Sequence, residues 1–203
     1  VQATSENSRD TQRISELIRK FHLGGIMFHN GGPVRQVHMT NYFQSVAKIP
    51  LFIAQDAEWG PSMRLDSMIT FPRQMMLGAI QDEGLIYDLG LEIGRQCKRL
   101  GINFNLAPVA DINSNPSNPV INSRSFGEGR INVARKTYAM MAGIQHHQVL
   151  ATAKHFPGHG DTHLDSHYSL PVIDKSYNQL DSLELYPFKT LIDRGVGAVM
   201  TGH

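Results

Sequence analysis

The chain has one cysteine, Cys97, in 203 residues, and therefore no disulfide within itself. It has almost no net charge. Nineteen lysines and arginines stand against 18 aspartates and glutamates, a formal net charge of +1. That balance removes the electrostatic case for a nucleic-acid or acidic-membrane partner. There is no run of about eighteen apolar residues, so no membrane-crossing helix is expected. No charged segment followed by an apolar stretch stands at Val1, so no signal peptide is visible. With no initiator methionine a removed signal peptide stays open, and the compartment is undetermined. Cys97 lies in the helical pattern Leu91 to Leu100, where it reads as a small buried hydrophobe rather than a reactive thiol.

What the chain does have is an alternation of short apolar runs and amphipathic stretches. Gly25–His29, Pro50–Asp56, Asn103–Val109, Leu150–Phe156 and Gly197–Thr201 read as strands. Near-continuous apolar strands suit a parallel sheet buried on both faces. Helical patterns run over Ser8–His22, Val34–Ala47, Asp82–Leu100, Ile131–Val149 and Leu180–Asp193, several of them closed by glycine. With no repeat or linker, residues 1–203 are expected to form a single domain.

Polar residues gather just past the strands: His29-Asn30, Asp56 and Glu58, Asp111 and Asn113, Lys154-His155, and His203. A doubly wound sheet concentrates function at one switch point, whereas a barrel draws on many strand ends. The expected fold is therefore an α/β (β/α)₈ TIM barrel. A whole barrel takes about 250 residues, so about five to six βα units are expected here. Val1-Gln2-Ala3 reads as the tail of a first strand, and the barrel is expected to be incomplete at both ends.

The chemistry concentrates between Lys154 and His167, a stretch with four histidines at 155, 159, 163 and 167. Their spacing of four would face one side of a helix, but Pro157, Gly158 and Gly160 forbid that helix. A zinc site therefore loses its geometric support, and no metal or cofactor is expected. Asp165 lies two residues before His167, close enough to orient the ring and raise its proton affinity, as a general acid/base requires. The plainer alternative is an Asp and a His sharing a surface turn. Lys154 and His155 are expected to leave the strand end at the site mouth, where they can bond sugar hydroxyls or phosphate oxygens. Asp56, Arg64 and the lone Trp59 suit a carbohydrate subsite with an apolar stacking face, or Asp56 and Arg64 form only a salt bridge. Arg124, after the loop from Asn113 to Pro119, can clamp a ligand oxygen.

The run Lys154-His155-Phe156-Pro157-Gly158-His159-Gly160-Asp161-Thr162, followed by Asp165-Ser166-His167 and Pro171, closely resembles the signature of glycoside hydrolase family 3 β-N-acetylglucosaminidases. Asp56-x-Glu58, Arg124-Ser125-Phe126-Gly127 and Ala198 to His203 fit the same family, so the resemblance spans nearly the whole chain. It implies a barrel enzyme that removes terminal β-linked N-acetylglucosamine with retention, from amino-sugar glycosides such as bacterial cell-wall (peptidoglycan) fragments. By motif, His167 is the acid/base and Asp165 orients it. Asp56, Arg64, Arg124, Lys154 and His155 grip the sugar. The family's nucleophile is an aspartate after a later strand, expected beyond His203; neither Asp56 nor Asp111 matches its motif. The chain alone is therefore expected to be inactive. Glu58-Trp59-Gly60 departs from the Glu-Gly-Gly of many members. The rival readings are a metal-dependent hydrolase using the histidines and a non-catalytic sugar-binding module.

Overall fold

The computed structural model describes residues 1–3, 8–162 and 175–202. Along the chain run β1 (Gln2–Ala3), α1 (Arg9–Phe21), β2 (Gly25–Met27), β3 (Asn30–Gly31), α2 (Pro33–Val46) and β4 (Phe52–Gln55). Then come α3 (Gln74–Gly78), α4 (Glu83–Arg99), β5 (Phe104–Asn105), α5 (Arg130–His146), β6 (Leu150–Phe156), α6 (Tyr177–Ser182), α7 (Leu185–Asp193) and β7 (Ala198–Thr201). The main sheet has five strands in the order β2-β4-β5-β6-β7, all pairs parallel.

That order is the chain order. A doubly wound sheet must reverse direction at a switch point; here each strand adds on the same side of its predecessor, as in the wall of a barrel. The fold is α/β, a curled parallel half-barrel with helices outside. β1 pairs in parallel with β3, and Val1 accepts from His29 N at 2.8 Å, so the segment read as a strand tail lies beside the chain leaving β2. The core fills the space between sheet and helices with Ile18, Phe43, Ile53, Ile86, Ile93, Met140, Ile144 and Leu191, all buried.

Two expected elements differ. Asn103–Val109 keeps regular pairing only at Phe104–Asn105, because side chains take over the ladder. Asn103 Oδ1 accepts from Ile53 N at 2.7 Å, and Asn105 Oδ1 from Ala57 N at 3.1 Å. Pro108 has no N–H to donate, and Gln74 clamps both backbone groups of Val109 from α3. The helix expected over Leu180–Asp193 is two, α6 and α7. Pro187 cannot donate to the Leu183 carbonyl; that carbonyl accepts from Tyr186 N instead, at 3.2 Å. A second helix therefore starts with Pro187 in its first turn, where no N–H is needed.

Candidate functional site

The carboxyl ends of β4 and β6 open onto a cavity of about 470 Å³ whose wall includes Asp56, Glu58, Trp59, Arg64, Arg124, Lys154 and His155. All five residues expected to hold a sugar are therefore brought together. Asp165 and His167 lie outside the described residues, as do His163 and His203.

Successive residues of a regular strand point to opposite faces, yet Lys154 and His155 both line this cavity. The pairing of β6 with β7 slips between Lys154 and Phe156, and that bulge re-aims His155. Lys154 does not project into the mouth as expected. It is 2% exposed, its ammonium held by Asp56 Oδ1 at 2.9 Å and Glu58 Oε1 at 2.8 Å. A buried ammonium is tolerated only when paired in this way.

The pairs continue outward. Arg64 bonds the other oxygen of Asp56, so the salt bridge and the cavity wall are one arrangement rather than alternatives. Arg124 grips Glu58 with both prongs, Nη2 to Oε1 at 2.7 Å and Nε to Oε2 at 3.0 Å, the bidentate geometry that favours arginine. Burial pushes the pKa of Asp56 up, but Lys154 and Arg64 outweigh it and hold the carboxyl below its ordinary 3.8. For Glu58 burial is likewise outweighed by Lys154 and Arg124, leaving it below 4.5. The two carboxylates thus stay ionised at neutral pH, with charge fixed in place before any ligand arrives.

Asp111 organises the far wall. It is 0% exposed; it receives His155 Nδ1 at 2.7 Å, His155 N at 3.1 Å and His159 N at 2.7 Å. Burial opposes its charge, but the His155 ring and the two backbone N–H groups more than offset it, so its pKa is lowered. Its hydrogen bond fixes the orientation of the His155 ring, whose Nε2 lies 3.4 Å from Arg124 Nη2.

Glu58 and Asp111, named in the sequence among the strand-end polar residues but given no role there, are the organising residues. Both carried a signal: each follows a strand within a few residues of a strand-end aspartate or asparagine. Among the described residues no group of three or more histidine, cysteine, aspartate or glutamate side chains is placed to hold a metal ion. Nor is any described helix long and apolar enough to cross a membrane.

The profile of the Glycosyl hydrolase family 3 N terminal domain matches residues 1–203. Beta-hexosaminidase A of Pseudoalteromonas piscicida is 39% identical over 204 residues, covering 94% of this chain and 34% of that protein. A glycoside hydrolase family 3 beta-N-acetylglucosaminidase from Paenibacillus sp. str. FPU-7 superposes with a TM-score of 0.89 at 42% identity, over 97% of this chain and 38% of that one. NagZ from Neisseria gonorrhoeae, in complex with N-trifluoroacetyl-D-glucosamine, superposes with a TM-score of 0.89 at 26% identity, over 100% of this chain and 62% of its own. The chain thus spans about a third to three fifths of these proteins.

Proposed function

The chain belongs to glycosyl hydrolase family 3, and on that premise we propose that it forms the sugar-gripping part of a retaining β-N-acetylhexosaminidase. The observation that carries the reading is the buried Lys154 ammonium shared between Asp56 and Glu58 at the strand ends, with Arg64 and Arg124 on the outer carboxylate oxygens. Such a lattice presents an ionised acceptor and several cationic donors to one small cavity, which is how neighbouring sugar hydroxyls are held in a fixed orientation. Trp59 in the same wall supplies an apolar face for a ring. The substrate class is a terminal β-linked N-acetylglucosamine, on amino-sugar glycosides such as cell-wall fragments. The amino-sugar ligand of the Neisseria relative and the beta-N-acetylglucosaminidase activity of the Paenibacillus relative support that choice.

In this mechanism His167 protonates the leaving oxygen and later activates water, with Asp165 orienting its ring. The nucleophile is a carboxylate outside residues 1–203, which forms and then releases a covalent glycosyl-enzyme. Asp56, Arg64, Arg124, Lys154 and His155 hold the sugar.

The test is hydrolysis of aryl β-N-acetylglucosaminide beside aryl β-glucoside by the full-length protein, with and without chelator. His167→Ala is expected to lower kcat on a poor leaving group by about 10²–10⁴-fold, with a smaller loss on an activated aryl group. Near-native turnover by this variant on the poor leaving group would remove His167 from the acid/base role. Activity abolished by chelator would move the chemistry to a metal, and cleavage of neither glycoside would leave a sugar-binding module.

A further inference from the structure

Glu58 and Trp59 are neighbours in the chain, as are Ser123 and Arg124, and the structure joins the two pairs twice. The inner joint is the fork of Arg124 on the buried Glu58. The outer joint is Arg73. Its guanidinium lies over the Trp59 ring, 4.6 Å from the centroid, and its Nη1 donates to Ser123 Oγ at 3.0 Å. Trp59 and Arg124 line the cavity and Arg73 does not. Arg73 is itself held from its backbone. It directly precedes α3, whose Gln74 clamps both backbone groups of Val109. Phe71 N donates to Trp59 O at 3.2 Å, and a Cβ on Gly60 would stand 2.8 Å from the Phe71 ring, so these two segments are in direct contact. On the other side, Asn122 opens the Ser123-Arg124 turn at φ +35°, a conformation that persists only where its surroundings hold it. Arg73 therefore ties a firmly seated segment to a strained one, across the indole.

We propose that Arg73 is a positioning residue, which by stacking on Trp59 and bonding Ser123 sets the indole and the Arg124 guanidinium against the same bound sugar. The inference rests on the reading of the cavity as a sugar site. A guanidinium within about 6 Å of an indole centroid is attracted to the ring face. Its planar fork stacks and donates at once, which an ammonium cannot do. Side chains that meet a ligand are only as well placed as the residues supporting them. Trp59 is half-buried and Arg73 exposed, so without the guanidinium the indole has less to fix its rotamer at the rim.

Arg73→Ala keeps the carbonyl that accepts from Met76 N and Leu77 N, and the removed side chain is exposed, so the variant should fold with a Tm close to wild type. In the full-length protein it is expected to raise KM for an N-acetylglucosaminide about fivefold. The factor should be the same on poor and activated leaving groups and kcat should stay within about twofold, because ground state and transition state share the weakened grip. Arg73→Lys should recover little of the loss, and Ser123→Ala, which removes only the hydrogen bond, should show a smaller part of it. In a Trp59→Ala background the effect of Arg73→Ala should shrink to that smaller part. Trp59 is the one tryptophan of residues 1–203. Binding is therefore also read as the fluorescence change on adding N-acetylglucosamine that Trp59→Phe abolishes, and its half-saturation should rise about fivefold in Arg73→Ala. Unchanged KM and half-saturation, a loss confined to one leaving group, or an undiminished effect in the Trp59→Ala background would overturn the positioning role. Failure of the underlying reading is seen separately, in wild type: neither hydrolysis of the N-acetylglucosaminide nor binding of N-acetylglucosamine.

Discussion

Cys97 and Asp111 are both fully buried and both titratable, yet their environments act on them in opposite directions. Cys97 sits inside α4 against apolar neighbours, and burial alone pushes its thiol up to about 12. Asp111 stands at the strand ends, where the His155 ring and two backbone N–H groups overcome the same desolvation and hold its carboxylate ionised. Around Cys97 the helix packing offers no partner for a charge, whereas the mouth of the half-barrel builds partners around Asp111. Ion pairs taken out of water seldom add stability over apolar packing, so the largely buried lattice of Asp56, Glu58, Lys154 and Arg124 is the kind of arrangement that the proposed sugar site calls for.

The largest effect should come from breaking that lattice at its centre. Lys154→Met removes the ammonium shared by Asp56 and Glu58, and a buried pair losing one partner costs about 3–5 kcal/mol. Urea unfolding at pH 7 measures it, and a loss below about 1 kcal/mol would show that Arg64 and Arg124 suffice. The pH dependence has a definite sign. Asp56, Glu58 and Asp111 have lowered pKa values in the fold, so their contribution is complete above the ordinary carboxylate range. It is lost as pH falls through the lowered folded values, below about 4. In Lys154→Met the desolvation of the two carboxylates is no longer outweighed by the ammonium. Their protonation becomes easier, and the stability gap to wild type should narrow on acidification.

The two regions were unequally legible in the sequence. The shell announces itself through period and punctuation: Asp82 caps α4 by accepting from Gly84 N at 2.8 Å, and Gly101 ends it at φ +75°. Strand order followed from the polar strand ends, because only a barrel wall uses so many of them. Hidden from a linear reading were the features made by pairing across distance. Nothing local says that Lys154 is swallowed by carboxylates nearly a hundred positions earlier, or that a bulge turns His155 to its side. The division of the last helix could have been read from Pro187, whose missing donor forces the chain to restart. The five residues proposed to hold a sugar stood out as polar groups at strand ends and in a family motif; Glu58 and Asp111 stood there too, but nothing linear shows that they act on other side chains.

A second, smaller test works on the shell alone. α4 and α5 meet through glycines: a Cβ on Gly143 would lie 2.2 Å from Tyr87 O and 2.5 Å from Leu91 N, and one on Gly90 would lie 2.4 Å from Met140 O. These contacts are with helix backbone, which cannot swing aside. Gly143→Ala is therefore expected to cost about 1–3 kcal/mol by overpacking, visible as a lower Tm. Binding of N-acetylglucosamine by the folded full-length protein should be unchanged. Loss of binding at unchanged Tm would mean that seam and site are coupled rather than separate.

The smallest effect sharpens the opening contrast. With its pKa near 12, Cys97 is about one part in ten thousand thiolate at pH 8, against about a quarter for an ordinary cysteine. Because it also has no solvent access, a thiol reagent should label it only as fast as the fold opens, and denaturant should accelerate labelling in step with unfolding. Cys97→Ala, which removes one small buried group and no partner, should cost only about 1 kcal/mol. Rapid labelling under native conditions, insensitive to denaturant, would mean that α4 opens locally around Cys97. The shell would then not be the uniformly closed layer against which the charged strand ends stand out.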